Sequence, residues 1–347
     1  MKNNFYLLLL IMVGIIIACF WLWPVNDDLA GWQADWQLTP KKAEPQQTVL
    51  LFGGDVMLAR TVEEKMVKYN DWSAPFIDIA DQMAQADISF INLESPIYDG
   101  GNTTPAGSVV FRALPESIAG LQTAGVDIVT LANNHFADQG TAGMNYTMEI
   151  LAENNITYCG AGLTSEQSHQ AAIMEKNGLK FAYLGYAYPN YNLASESSIG
   201  INPMDVGQMR DDVGKASSMA DVVIVSMHAG AEYVYTPNSQ QIDFAHQAIE
   251  SGADLVIGHH PHVVQTYEQY QDGHIFYSLG NLIFDQEWSV PTTEGTVVKV
   301  VYQGKEITTI EFLPIKTTDY HRATWGNKET TQHVLDRLQI ENLIIEI

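Results

Sequence analysis

Five apolar segments of this chain each run directly into residues suited to holding a metal ion. Asp55 follows Leu50-Leu51-Phe52-Gly53-Gly54, Glu94 follows Phe90-Ile91-Asn92-Leu93, and Asn133-Asn134-His135 follows Val129-Thr130-Leu131-Ala132. His228 follows Ile224-Val225-Ser226-Met227, and His259-His260-Pro261-His262 follows Val256-Ile257-Gly258. Carboxylates carry negative charge and can bridge two cations. Imidazoles favour borderline metals such as zinc, iron or manganese, and an asparagine carbonyl adds a neutral oxygen. Two such cations roughly 3.5 to 4 Å apart can share and acidify a water. His135, beside Asn134, would then hydrogen-bond a substrate oxygen or protonate a leaving group. Each residue also has a plainer reading. Asp55 after two glycines suits a helix cap, Glu94 before Ser95-Pro96 a solvated loop, the asparagines a turn, and His228 a buried, satisfied histidine. Three imidazoles within four positions after a buried strand are harder to explain without a ligand, and the clusters together point to a metal or anion site.

The elements that must position these residues follow an α/β pattern. Short β-branched runs at 49–52, 88–91, 128–131, 181–184, 222–227 and 255–257 predict strands buried on both faces. Helical patterns fall at 74–86, 116–124, 142–154, 206–219 and 239–251. After His274 the runs 275–279, 296–302 and 307–313 follow one another without a long helix, which predicts a second, more antiparallel sheet. Open α/β sheets place ligands beyond the carboxyl ends of their strands, so the polar clusters are expected on one rim.

The 347 residues are 46% hydrophobic and 17% charged, enough to bury a sizeable core. Seventeen basic residues against 41 acidic ones give a net charge of −24, and no long basic patch is present. Nucleic acid is therefore excluded as the expected partner. Only Lys2 and the amino terminus carry charge before Asp27, and the run from Phe5 to Trp23 is apolar enough to cross a bilayer. A basic residue ahead of it and acidic ones behind predict an inside N-terminus and an extracytoplasmic body. Ile16-Ile17-Ala18-Cys19 offers the alternative of a lipoprotein anchored at Cys19; both readings end at a membrane surface. The expected organisation is an anchor over 1–25, a polar tether over 26–47, one domain over 48–315 and a C-terminal extension with a helix over 316–347. Cys19 and Cys159 cannot staple the body, so its stability must come from the core.

The motifs GDVM (54–57), NLESP (92–96), LANNHFADQG (131–140), MHAGAEY (227–233), GHHPHVVQ (258–265) and SLGNLIFDQ (278–286) closely resemble the CapA family of capsule, or poly-γ-glutamate, biosynthesis proteins. The likeness spans about Thr48 to Pro314. It implies a branch of the calcineurin-like metallophosphoesterases, a sandwich of two mixed β-sheets flanked by helices. It further implies one or two divalent ions (manganese, iron or zinc) held by Asp55, Glu94, Asn134, His228, His260 and His262, with His135 as the acid. His259 competes with His260 for one ligand position. Arg112, Asp138, Glu232, Asn281 and Asp285 are candidates for receiving substrate or orienting the ligands. The implied partners are a membrane, an anionic polymer or phosphoester substrate, and a polymer synthase complex. Two departures from the superfamily pattern stand out: position 57 is methionine where Asp-x-His is usual, and Glu94 replaces a bridging aspartate. A site one ligand short can bind a cation yet hydrolyse slowly or not at all.

Overall fold

A computed structural model of the chain describes residues 46–101, 104–188 and 192–347. Among them no helix is long and apolar enough to cross a membrane. The expected anchor, Cys19 and nearly all of the expected tether lie outside the described residues.

Alternation along the strands builds two packed sheets. In the strand Gln47–Val56, Leu50 and Phe52 face one way and Leu51 the other. Leu50 and Phe52 join Phe90, Phe181, Ile224, Ile257 and Phe276 in a cluster drawn from both sheets, which is the sandwich interior. The opposite faces are covered by helices. Val223 and Val225 meet Met209 and Val213 of the helix Val206–Ser217 and Phe244 and Ala248 of the helix Ser239–Glu250. Residues buried on both faces of a strand explain why the sequence reads as near-continuous apolar runs.

The first sheet runs Arg322–Trp325, Glu306–Thr318, Glu294–Gln303, Gln47–Val56, Ile88–Leu93, Ile128–Thr130, Thr157–Cys159. Its last four strands are parallel, and its first four pair antiparallel. The second sheet runs Tyr267–Tyr270, Gly273–Phe276, Leu255–His259, Val222–His228, Leu179–Ala187, Ala172–Lys176. Both sheets are mixed. The antiparallel strands after residue 294 extend the first sheet beside Gln47–Val56, whereas the sequence pattern predicts that they form a sheet of their own. The predicted parallel strands are instead divided between the two sheets at about residue 172. Periodicity reports which faces of a strand are buried and is blind to which strand lies alongside. The C-terminal segment carries the helix Lys328–Leu338 and two strands, Arg322–Trp325 and Ile344–Glu346, that also join the first sheet.

Helices form near four of the five predicted positions: Ile118–Thr123, Gly140–Glu153, Val206–Ser217 and Ser239–Glu250. The fifth shrinks to Ala80–Met83, because Asp71, Ser73 and Pro75 turn the chain ahead of it. The helix Arg60–Tyr69 starts after Ala59 without a side-chain cap. Asp55 lies inside the preceding strand and caps nothing. Cys159 is buried, and burial pushes its thiol up to about 12, so it acts as a core residue.

Candidate metal centre

The strand ends converge. Asp55 is register partner to Asn92 on one side and Asn281 on the other, and His228 is register partner to His259 across the second sheet. Two glycines permit this approach. A β-carbon on Gly54 would stand 1.9 Å from the Gly280 carbonyl oxygen, and one on Gly258 1.9 Å from that of Tyr277. Close backbone packing behind the ligands thus requires glycine at both positions. His260 and His262 take positive φ values of 97° and 57°, on either side of Pro261. Such conformations are costly for histidine and are held here by the surrounding fold.

Within this cluster Asp55, Glu94 and His228 present ligand atoms within 4.8 Å of one another, and so do Glu94, His260 and His262. Glu94 belongs to both groups. All of these side chains are buried. Asn134 Oδ1 lies 2.9 Å from His228 Nε2, which brings it to the same place. Asp55 Oδ2 lies 3.2 Å from His262 Nδ1, and Glu94 Oε1 lies 3.6 Å from His262 Nε2. His259 is buried with Nδ1 3.4 Å from Asp55 Oδ1, its ring 6.0 Å from that of Phe90. Among the described residues, Glu94 Oε1, His260 Nδ1 and both ring nitrogens of His259 are buried without a hydrogen-bond partner. Unpartnered buried polar atoms cost roughly 1–3 kcal/mol each. Gathering several in one place, all of types that coordinate metals, fits a bound divalent cation.

Electrostatics agrees. Burial raises the Glu94 carboxyl well above its usual range, and the Asp55 charge raises it further. For Asp55 burial works upward, but the imidazoles of His259 and His262 outweigh it and hold the carboxyl well below its usual range. Burial, then His260, holds His228 well below the ordinary histidine value; burial, then His262, brings His260 down to about 4. Neutral imidazoles and crowded carboxyls are what a cation needs and what a protein without one tolerates badly.

A stability profile follows. Between about pH 4.5 and 6.5 the unfolded chain protonates two imidazoles, His228 and His260, that the metal-free fold keeps neutral. The fold in turn keeps one proton on Glu94 that the unfolded chain releases. Within this cluster the unfolded state therefore binds the larger number, so the cluster's own contribution to the stability of the metal-free protein should fall as pH falls through this window. His260 alone contributes on the order of 3 kcal/mol. Thermal unfolding of the native chain and of His260→Asn in chelator from pH 7 to 4.5 checks this; the variant should lose less stability toward acid, and an equal pH dependence in both chains would refute the assignment.

Supporting residues orient the cluster. Asn281 Oδ1 lies 3.0 Å from His262 Nδ1, and its amide nitrogen donates to Gln286 Oε1 and to the Thr292 carbonyl. Nδ1–H donation to Asn281 leaves His262 Nε2 free toward Glu94. His135 Nδ1 lies 2.8 Å from Asp138 Oδ2, which also accepts from the Phe111 amide at 2.6 Å. The His135 ring is stacked on Phe111, with ring centroids 3.8 Å apart. Glu232 is exposed, and its charge reaches Glu94 and Tyr233.

Arg112 is not presented to substrate. It is 3% exposed and its guanidinium donates to Glu63 Oε1 at 3.1 Å. A different cation flanks the site: Arg60, which is paired with Asp285, donates to the Ser108 carbonyl and lies over the rings of Phe111 and Phe284. Those rings pack on His135 and His262. Asp285 is thus an arginine partner. Met57 is fully buried in the apolar cluster and its sulfur accepts from the Ala59 amide at 3.1 Å. Asn133, which the sequence offers only as a member of the Asn133-Asn134-His135 cluster, acts as a tie: its amide nitrogen donates to Asn92 Oδ1 and the Leu93 carbonyl while its Oδ1 accepts from the His135 amide. Its position beside Asn134 was the available signal.

Two mixed sheets, outer helices and a buried acid, histidine and asparagine cluster at the strand ends define an α/β sandwich with potential metal ligands on one rim. Solved structures share this fold. A hypothetical protein from Thermus thermophilus superposes with a TM-score of 0.51 at 16% identity, over 78% of this chain and 100% of that one. A novel phosphatase from Mycoplasma pneumoniae gives 0.50 at 13% identity, over 84% and 99%. The family profile described as bacterial capsule synthesis protein PGA_cap matches residues 49–286, and the chain belongs to that family. Its relatives include the capsule biosynthesis protein CapA of Bacillus anthracis, 28% identical over 86% of this chain and 73% of the relative. They also include the PGA biosynthesis protein CapA of Bacillus subtilis strain 168, 29% identical over 93% and 83%.

Proposed function

We propose that the protein is a membrane-anchored, extracytoplasmic component of capsule or poly-γ-glutamate synthesis or export that works through a divalent-metal centre. The observation that carries the metal reading is the sharing of buried Glu94 between two ligand groups. Family membership supports the pathway, and the apolar run Phe5–Trp23 supports the anchor. Manganese, iron or zinc matches the mixed carboxylate, imidazole and amide donors. One or two such cations would draw their ligands from Asp55, Glu94, Asn134, His228, His260 and His262, and would supply Lewis acidity toward a phosphoryl or carbonyl oxygen. His135 would hold a proton at Nε2 for a leaving group while Asp138 fixes its ring through Nδ1. The substrate would be an anionic polymer or a phosphoester, and a polymer synthase is the fitting partner.

A second reading, a non-catalytic accessory subunit, is favoured by one observation: Met57 faces the apolar core and offers the site no ligand. Elemental analysis of the full-length chain after reconstitution with manganese, iron or zinc, alongside polymer yield in cells lacking residues 1–25, tests the proposal. Bound metal and lost polymer are expected. Absence of metal after full reconstitution ends the metal reading, and undiminished polymer ends the anchored one.

A further inference from the structure

One buried amide stands where a cation would be expected. Asn92 Nδ2 is 2.8 Å from Asp55 Oδ1, 3.1 Å from Glu94 Oε2 and 3.3 Å from His228 Nδ1. It therefore touches every member of the Asp55–Glu94–His228 group at once. Asn92 is fully buried, and its strand register sets it directly beside Asp55. The amide cannot easily turn its oxygen inward. Asn92 Oδ1 accepts from Asn133 Nδ2, and Asn133 is itself pinned by the Leu93 carbonyl and the His135 amide. Reversing Asn92 would set two amide nitrogens against each other and leave its oxygen facing two carboxylates.

We propose that Asn92 occupies one of the two cation positions with its own N–H donors, so that this chain loads a single divalent ion, at Glu94, His260 and His262. The inference rests on the metal reading of the cluster. An amide supplies two polarised hydrogens to Asp55 and Glu94 and so offsets part of their mutual repulsion without a full positive charge. It also opposes a cation at His228. A proton on His228 Nδ1, which coordination through Nε2 requires, would meet an amide that can only donate. An aspartate in its place would reverse both effects: it adds a third carboxylate and gives His228 Nδ1 an acceptor. Glu94, two residues further along, reaches the same place with its longer side chain, which keeps the remaining group charged.

The test is stoichiometry. The full-length chain in mild detergent, stripped with chelator, is titrated with Mn²⁺ by calorimetry and examined by electron paramagnetic resonance, together with Asn92→Asp and the smaller Asn92→Ser. The native chain should bind one Mn²⁺ with an uncoupled spectrum. Asn92→Asp should bind one more than the native chain and show the exchange-coupled signal of two neighbouring ions, and Asn92→Ser should open the same position more weakly. Circular dichroism in the presence of Mn²⁺ confirms that each variant is folded. No binding by the native chain would remove the metal reading of the proposed function, but the inference about Asn92 is judged on the difference. One extra ion in the aspartate variant supports it, while equal stoichiometry in both chains, or two ions in the native chain, overturns it.

Discussion

Replacing Glu94 by glutamine should weaken metal binding about a hundredfold or more and at the same time make the metal-free protein more stable. Glu94 is the member common to both ligand groups, so its loss leaves neither intact. Substituting residues that merely orient ligands typically costs 10–100-fold in metal affinity, so the shared ligand should cost about a hundredfold or more. The stabilisation has a separate origin. Glu94 is fully buried near the ionised Asp55, and burial followed by that charge keeps its carboxyl well above the usual range. An amide of the same shape carries no charge to desolvate and keeps an oxygen for the Asn92 donor. In chelator the transition temperature should rise by roughly 2 °C or more. Because Glu94 is the group whose proton opposes the two imidazoles below pH 6.5, the variant should also lose stability more steeply toward acid. Calorimetric titration with Mn²⁺ and thermal unfolding in chelator measure both effects. Native-like affinity in the variant would show that Glu94 is not a ligand, and a lower transition temperature would show that the buried carboxyl is better satisfied than its surroundings indicate.

His135→Ala should separate chemistry from metal binding. His135 is held by Asp138 through Nδ1 and by its stacking on Phe111, and it belongs to neither ligand group. Its removal should leave metal content unchanged while lowering turnover about 10²–10⁴-fold, the range for a general acid. Asp138→Asn should cost less. It keeps a partner for the ring but loses the charge that stabilises the imidazolium, and it disturbs the Phe111 amide that the same oxygen accepts. Turnover on generic phosphoesters and polymer yield in cells are the two readouts. Polymer yield unchanged in His135→Ala, with metal still bound, would establish the accessory reading over the catalytic one. If metal content falls with turnover, His135 acts on the cation and the assigned role is wrong.

Much of the centre is legible in the linear chain because its parts are local. A buried strand is a short apolar run, and the residue that follows it must emerge at the sheet's carboxyl end. That alone ordered Asp55, Glu94, Asn134, His228 and the His259–His262 cluster along one rim, and the fold brings these together. What the sequence left open concerns partners distant along the chain. Arg112 and Arg60 are both arginines in an acidic protein, and nothing local says that Glu63 takes one while Asp285 takes the other beside the site. Met57, two residues after Asp55, is drawn into the apolar cluster by packing against segments far from it in sequence.

By itself the sequence determined the α/β class, the order of ligand-bearing strand ends and the acidic, cysteine-poor character of the body, since each depends on composition or short-range periodicity. Tertiary structure alone decided which strands share a sheet, which of the neighbouring histidines face Glu94, and that the amide of Asn92 lies among three ligand side chains. Those are questions of register and of distance between segments dozens of residues apart. Strand periodicity fixes only the face a residue points to and never the neighbour it meets there.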